Sequence, residues 1–365
     1  MDTAITRTTK PPLVILTGPT AAGKTDLSIN LAKKINGEII SADSAQVYKG
    51  LDVGSAKITP EEMQGVPHHL IDVFEPDYPF DVTVFKHLAK EKAAEITERG
   101  HIPIVVGGTG FYIQALLYDI DFDIKEPINV DVDSTSDDNI AEVLNTSADI
   151  NEKTAEVDYS YRESLEAISR EEGGPEKLYQ ELKTVDPESA ESIHMNNVRK
   201  VIRALEFYHI YKKPISEHNK EQRVKESAYN SAYFVLNMDR QKLYDRINRR
   251  VDIMKDSGLV AEVKALYDKG YDLNYTSMQA IGYKELIEAF ELNGRSEASA
   301  SDNIYEADLE SAFEKIKLNT RHFAKRQLTW FRREKDTIWL SKDEMSEDEI
   351  LEKMINILKE REIIR

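Results

Sequence analysis

Short apolar runs alternate with helical patterns over the first third of this chain. Leu13-Val14-Ile15-Leu16, Glu38–Ile40 and Ile102–Val106 read as buried strands. Between them lie helical patterns: Leu27, Ile29, Leu31, Ala32 and Ile35, then Phe85, Leu88, Ala89, Lys92 and Ile96 within Val84–Arg99. This alternation predicts an α/β fold, a parallel sheet with helices on its faces. Ligands in such sheets bind at the carboxyl ends of the strands. Three loops leave strands there: Gly18–Thr25, Ser41–Tyr48 and Gly107–Tyr112.

The pattern then changes. Residues 121–159 mix Ser, Thr, Asn and Asp with scattered aliphatics and read as a mobile acidic insertion. Residues 161–213 read as helical, with Val198, Val201, Ile202, Leu205 and Tyr208 on one stripe. Arg199 and Arg203 share a face of that helix, and Lys200 lies alongside. A strand, Tyr233–Asn237, follows. Leu243, Ile247, Val251 and Met254 then mark a helix that carries Arg240, Arg246 and Arg250 and ends at Gly258. Glu310–Phe331 reads as a long helix, residues 295–309 as a second acidic loop, and the tail from Asp343 as an amphipathic helix. The expected divisions are a core over 1–120, the insertion over 121–160, a helical domain over 161–220, a return to the core over 221–342 and a terminal helix over 343–365.

Composition narrows the setting. The chain has 365 residues, 41% of them hydrophobic, which is enough for a packed core. No apolar run approaches the ~18 residues that span a bilayer, and residues 1–12 are polar, so a cytoplasmic protein without a membrane partner is expected. The absence of cysteine excludes disulfides and thiolate chemistry. The net charge of −18 argues at first against nucleic acid. Its distribution reverses that view. Residues 121–160 hold twelve acids and two bases, and 296–314 hold six acids and no base. The rest is nearly neutral, and on it Lys315–Lys335 holds eight bases and one acid. Such a stretch is either a polyanion footprint or a solvated helix face. No association stripe is evident, so a monomer is the simpler expectation.

The chemistry centres on Gly18-Pro19-Thr20-Ala21-Ala22-Gly23-Lys24-Thr25, which fits G-x-x-x-x-G-K-[ST] between a strand and a helix. Its backbone N–H groups and the following helix N-terminus suit a di- or triphosphate. Lys24 would reach the outer phosphates, and the Thr25 hydroxyl would ligate Mg2+. Strand Ile102–Val106 ends in Gly107-Gly108-Thr109-Gly110 with no acid, so Asp43 is the one carboxylate well placed beside the loop. It could hold metal, act as a general base, or cap the turn before Gln46. The glycines at 107, 108 and 110 fit close approach of a ligand or a tight turn. Pro67-His68-His69 lacks partner carboxylates and reads as structural. Arg240, Arg246 and Arg250 suit a pyrophosphate, and the sequence does not choose among them.

These residues carry a resemblance. Gly18–Thr25 followed by Asp43-Ser44-Ala45-Gln46-Val47-Tyr48 resembles the start of the tRNA dimethylallyltransferase (tRNA isopentenyltransferase) family. The similarity continues through Pro67–Asp72, Gly107–Tyr112, Asp186-Pro187, Asn197–Glu206, Asp239-Arg240, Gln279–Lys284 and Thr320–Phe331. It implies a P-loop NTPase-like core with a helical insertion domain and C-terminal helices. The implied reaction transfers a dimethylallyl group from dimethylallyl diphosphate to an adenosine amine beside the anticodon, in tRNAs reading codons that begin with U. It implies Mg2+ as cofactor, Asp43 as base, and Lys24, Thr25, Thr109 and Arg246 as its catalytic companions. Residues 18–25 with Arg240 and Arg250 would hold the diphosphate. The anticodon stem-loop would meet Asp43, Ser44, Ala45, Gln46, Thr109, Arg199, Lys200, Arg203, Gln279, Gly282, Lys325 and Arg326. The chain departs from the pattern in its two acidic inserts and at Lys200, where an arginine is common. Two other readings stay open: a small-molecule kinase using ATP on the same loop, and a non-catalytic RNA-binding protein.

Overall fold

The apolar run Pro12–Thr17 forms strand β1, and the sheet grows outward from it on both sides. The structure is a computed structural model that describes residues 10–120, 160–223, 225–294 and 302–365. Helix α1, Lys24–Ile35, returns the chain to β2, Gly37–Ala42. Then come β3 at His68–His69, helix α2 over Val82–Glu98, β4 over Ile102–Gly107 and helix α3 over Gly110–Leu117. The chain re-enters the sheet at β5, Asn230–Asn237, and finishes it with β6, Thr337–Ser341. The order is β3-β2-β4-β1-β5-β6, and every pairing is parallel. All strand carboxyl ends therefore lie along one edge of the sheet. Every residue of β2 is buried, as expected of a strand covered on both faces.

Two edge strands go beyond the apolar pattern. The two residues of β3 are too few to show a period, and β6 follows a charged run that masks its start. His68 and His69 pack within the protein, but the expectation that they lack a partner carboxylate does not hold for His69, because Glu38, distant in sequence, lies on the neighbouring strand. The His68 ring pairs with the Val66 carbonyl at 2.8 Å and the His69 ring with the buried Glu38 carboxylate at 2.7 Å.

The chain divides into two compact units, residues 1–119 with 227–365 and residues 120–226. In the first, β5 leads to α9 (Arg240–Asp256), α10 (Leu259–Asp268), α11 (Tyr283–Gly294), α12 (Asp302–Phe331) and α13 (Glu347–Glu360). Asp239 starts α9 by accepting from the amides of Gln241 and Lys242 at 2.9 and 3.1 Å. Gly258, at φ +93, ends that segment and opens α10. Ser346 and Glu349 form a capping box at the start of α13. Leu27 and Leu31 of α1 join Leu340 of β6 and Ile350, Met354 and Leu358 of α13 in one core.

Helix α12 corrects the second acidic loop. Residues 302–309 are helical, not loop. Acidic residues at the amino end of a helix complement its dipole, so the charge of this stretch does not oppose the helix. The apolar series Leu309, Ala312, Phe313 and Ile316 keeps helical spacing and buries its last three members. Residues 121–159 and 295–301 lie outside the described residues, and so does the reading of both as acidic inserts.

The second unit holds α4 (Ser160–Ser169), α5 (Gly174–Val185), α6 (Pro187–Ser192), α7 (Val198–Tyr211) and α8 (Ile215–Arg223). Its own core gathers Leu165, Leu178, Leu182, Val201, Ile202 and Leu205. The buried Asp186 ties it together. Its carboxylate accepts from the amides of Ser189 and Ser216 at 3.0 Å each and from both hydroxyls.

Candidate active site

The site forms where β1, β2, β4, β5 and β6 end. Gly23 adopts φ +86 and hands the chain into α1, whose first N–H groups have no intrahelical partner. The Lys24 ammonium donates back to the Gly18 and Pro19 carbonyls, both at 3.0 Å. Arg246, from α9, donates through Nε to the Ala21 carbonyl at 2.8 Å. Gln327, buried on α12, accepts from the Thr20 amide at 2.9 Å and donates to the Gly108 carbonyl at 3.0 Å. One side chain thus clamps the phosphate loop to the loop after β4. The Thr17 hydroxyl adds a second tie, donating to the Gly107 carbonyl at 2.7 Å.

Charge gathers at this point. Close protein packing and the charge of Arg250 pull the Lys24 pKa from 10.5 to about 8, while Asp43 acts in the opposite direction. Burial and then Arg246 lower the Arg250 pKa, again against Asp43. Lys24, Arg246, Arg250 and Asp43 therefore form one electrostatic group. Arg246 and Arg250 are four residues apart and share a face of α9. Arg240 engages its own helix: its Nε donates to the Tyr244 hydroxyl at 3.0 Å and its guanidinium lies 5.1 Å from that ring. Lys342, directly after β6, is a cation that the sequence did not single out. A Cβ on Gly23 would lie 2.9 Å from its Nζ and 3.5 Å from Nη2 of Arg246.

Asp43 is half-buried after β2. Its Oδ1 caps the turn, accepting from the amides of Ala45 at 2.9 Å and Gln46 at 3.4 Å. The cap therefore leaves Oδ2 of the carboxylate without a hydrogen bond among the described residues. Ser44 is exposed beside it. The Gln46 amide is aimed by its neighbours: Oε1 accepts from Ser41 at 3.3 Å, and Nε2 donates to the Ser55 and Ala56 carbonyls at 3.4 Å. Thr109 stands at the N-cap of α3, and its amide donates to the Ala42 carbonyl at 3.4 Å. The glycines of this loop accommodate protein. A Cβ at Gly107, Gly108 or Gly110 would lie 2.2, 2.1 or 2.2 Å from Ala42, Gln327 or Trp330.

The Thr25 hydroxyl is exposed at the start of α1. With the Asp43 carboxylate it offers hard oxygen donors of the kind Mg2+ takes, and diphosphate oxygens and water would complete its shell. No cluster of three or more His, Cys, Asp or Glu suits a metal among the described residues.

The basic stretch of α12 divides by direction. Lys317 pairs with Asp252 at 2.8 Å, and Arg321 donates to Asn248 at 2.6 Å, so these face α9. Lys325 and Arg326 are exposed and, with His322, Thr329, Trp330 and Arg333, line an open depression of ≈ 420 Å³. Gln279 donates to the Leu273 carbonyl within its own loop, and the Gly282 amide donates to Glu285 at 2.8 Å. In the second unit, Arg199, Lys200 and Arg203 are exposed along α7, opposite the buried Val201, Ile202 and Leu205.

The IPP transferase family model matches residues 46–334, and the isopentenyl transferase model matches residues 11–73. A tRNA dimethylallyltransferase of Lachnoclostridium phytofermentans is 51% identical over 97% of this chain and 99% of its own. Another from Anoxybacillus flavithermus is 46% identical over 94% of each. Among solved structures, a tRNA isopentenylpyrophosphate transferase of Staphylococcus epidermidis is 40% identical, with a TM-score of 0.62 over 96% of this chain and 100% of its own. A eukaryotic dimethylallyltransferase captured acting on tRNA is 28% identical, with a TM-score of 0.67 over 91% of this chain and 74% of its own. Sequence, fold and strand-end site agree, and the chain belongs to the tRNA dimethylallyltransferase family.

Proposed function

We propose that this protein transfers a dimethylallyl group from dimethylallyl diphosphate to the exocyclic amine of the adenosine 3′ of the anticodon, in tRNAs reading codons that begin with U. The observation that carries this reading is the convergence of Lys24, Arg246 and Arg250 on the phosphate loop, with Asp43 as the adjoining carboxylate.

In the reaction, the amine nitrogen bonds to the prenyl C1 as the bond from C1 to the diphosphate oxygen breaks. The electron pair leaves with diphosphate. Loop N–H groups, Lys24, Arg246 and Arg250 stabilise that growing charge, because they are already in place when it develops. An adenine amine is a weak nucleophile, its lone pair being shared with the ring. Oδ2 of Asp43 accepts the amine proton as the new bond forms. Gln46, with its amide held by three neighbours, reads the base edge, and Thr109, tied to the end of β2 through the Ala42 carbonyl, assists. Mg2+, held by Thr25 and the diphosphate, would supply further charge neutralisation. The adenosine must leave its stack to enter such a site. Arg199, Lys200, Arg203, Lys325 and Arg326 supply the charge that holds an RNA backbone. Arg240 is left out of the diphosphate set because Tyr244 engages it.

We also read the molecule as a cytoplasmic monomer with its core at 1–120 and 221–342. The test is a transfer assay with the full chain, Mg2+, dimethylallyl diphosphate and an unmodified tRNA reading a U-initial codon, followed by nucleoside mass analysis. Dimethylallyl-adenosine, absent when that one adenosine is replaced, is expected. No product from folded protein that binds the diphosphate would turn attention to ATP-dependent kinase chemistry.

A further inference from the structure

Lys342 has no part in the chemistry assigned so far, yet it lies beside the phosphate loop. All six strands are parallel, so the residue after β6 reaches the same edge as Gly18, Asp43 and Gly107. Its amide donates to the Asn237 carbonyl at 2.9 Å, which fixes its backbone against the end of β5. Its side chain is 21% exposed, and its ammonium occupies the space beside Gly23 that a side chain there would fill. Arg246 approaches the same point from α9.

Among the described residues, the one carboxylate paired with Lys342 is Glu347, at 3.4 Å. That is longer than the 2.7–2.9 Å typical of a charge-assisted bond. Glu347 is also shared, accepting from Asn30 at 3.2 Å. The loop region then holds the cations Lys24, Arg246, Arg250 and Lys342 against the carboxylates Asp43 and Glu347 and the exposed Asp26 of the first turn of α1, beside the positive end of that helix. Such an excess, packed at one helix N-terminus, is costly until an anion neutralises it.

We propose that Lys342 is a further diphosphate-binding residue, reaching the anion across Gly23 from the β6 side while Arg246 and Arg250 reach it from α9. This rests on the reading of Gly18–Thr25 as the diphosphate site. The ammonium makes a charge-assisted contact to diphosphate oxygen and shares the neutralisation of the leaving group.

The test uses the full-length protein with Mg2+ and two readouts: calorimetric binding of inorganic pyrophosphate, and steady-state KM for each substrate. Lys342→Met keeps the apolar stem and removes the charge. It is expected to weaken pyrophosphate binding about tenfold and to raise the KM for dimethylallyl diphosphate by the same factor, with the tRNA KM unchanged. Lys342→Arg should recover most of that loss, and Glu347→Gln should bind pyrophosphate at least as well as the parent. If Lys342→Met is poorly folded by its melting temperature, Lys342→Gln replaces it. Parent-like pyrophosphate binding by the Lys342 variants, with binding lost in Lys24→Ala, would overturn the proposal and leave the loop reading standing. An equal loss in Glu347→Gln would also overturn it, because the pair would then act by holding α13 in place. Parent-like binding in Lys24→Ala as well would remove the diphosphate reading itself.

Discussion

Strand β2 carries a carboxylate at each end, and the two are treated in opposite ways. At the amino end, Glu38 is 4% exposed and enclosed by partners: the Arg99 guanidinium donates at 2.8 Å and the His69 ring lies at 2.7 Å. Burial pushes the Glu38 pKa up, but these partners win and hold it below 4.5. That cluster is closed, with its charge satisfied by protein. At the carboxyl end, Asp43 uses one oxygen to cap a turn and faces a surplus of cations. The Lys24 ammonium is depressed to about 8 rather than raised by a tight partner. One end of the strand is finished for stability. The other is left short of negative charge, which is what a diphosphate site requires.

The largest expected effect separates the two ends. Asp43→Ala should lower kcat by about 10²–10⁴, the usual worth of a positioned base, with tRNA affinity nearly unchanged. The lost turn cap should cost only about 1 kcal/mol. A large rise in the tRNA dissociation constant with turnover intact would instead make Asp43 an RNA contact.

Lys24 gives the next contrast, through pH. Its folded pKa of about 8 means that the free enzyme loses this proton as pH rises through 8. Diphosphate binding favours the protonated form. So kcat/KM for dimethylallyl diphosphate should fall above pH 8 with a slope approaching one decade per pH unit. Lys24→Ala should show a KM raised about 10²-fold and no such limb. A limb of the same position in Lys24→Ala would assign it to another group.

How far the site could be read in advance follows the same division. Gly18–Thr25 was legible because its glycines, Lys24 and Thr25 are contiguous, and Asp43 because it directly follows an apolar strand. Gln327 and Lys342 were not: Gln327 lies in the similar block Thr320–Phe331 but nothing local gives it a role, and nothing local marks Lys342. Gln327 sits within a helix 307 residues from the Thr20 amide it accepts from, and Lys342 follows a five-residue edge strand. Arg240, Arg246 and Arg250 are alike in sequence, and only their contacts separate them: Arg246 donates to the Ala21 carbonyl, whereas Arg240 donates to Tyr244. Among the described residues, the acidic start of α12 looks like a loop in sequence because its acids hide the apolar spacing that begins at Leu309. The parallel core was readable from its uninterrupted apolar runs, whereas β3 offers only two residues.

At the amino end, Glu38→Gln should leave kcat and both KM values unchanged and destabilise the protein by about 2 kcal/mol at pH 7, because a buried, doubly paired charge is lost. The pH sign follows from the lowered pKa of Glu38. Its contribution is present above its unfolded value near 4.5 and is lost as pH falls through the lower folded value. The gap between parent and Glu38→Gln should therefore close in acid. A gap that persists well below that value would mean that packing, not charge, is what glutamine disrupts.

The smallest expected effect lies on α12, where exposed charge acts through the salt-dependent term alone. Lys325 and Arg326 line the open depression, while Lys317 and Arg321 are engaged with α9. Replacing Lys325 and Arg326 with alanine together should weaken tRNA binding by about 1–2 kcal/mol at low salt. It should also flatten the plot of log affinity against log salt by roughly 1.5, near one released counterion per removed charge. Lys317→Ala should change the slope little, because its ammonium is already neutralised within the protein at 2.8 Å from Asp252. The pair of slopes is more informative than either affinity, since misfolding would weaken binding without selecting which charges count. Equal slopes for both variants would mean that RNA reads the whole basic stretch of α12, and that the division between its two faces has no part in recognition.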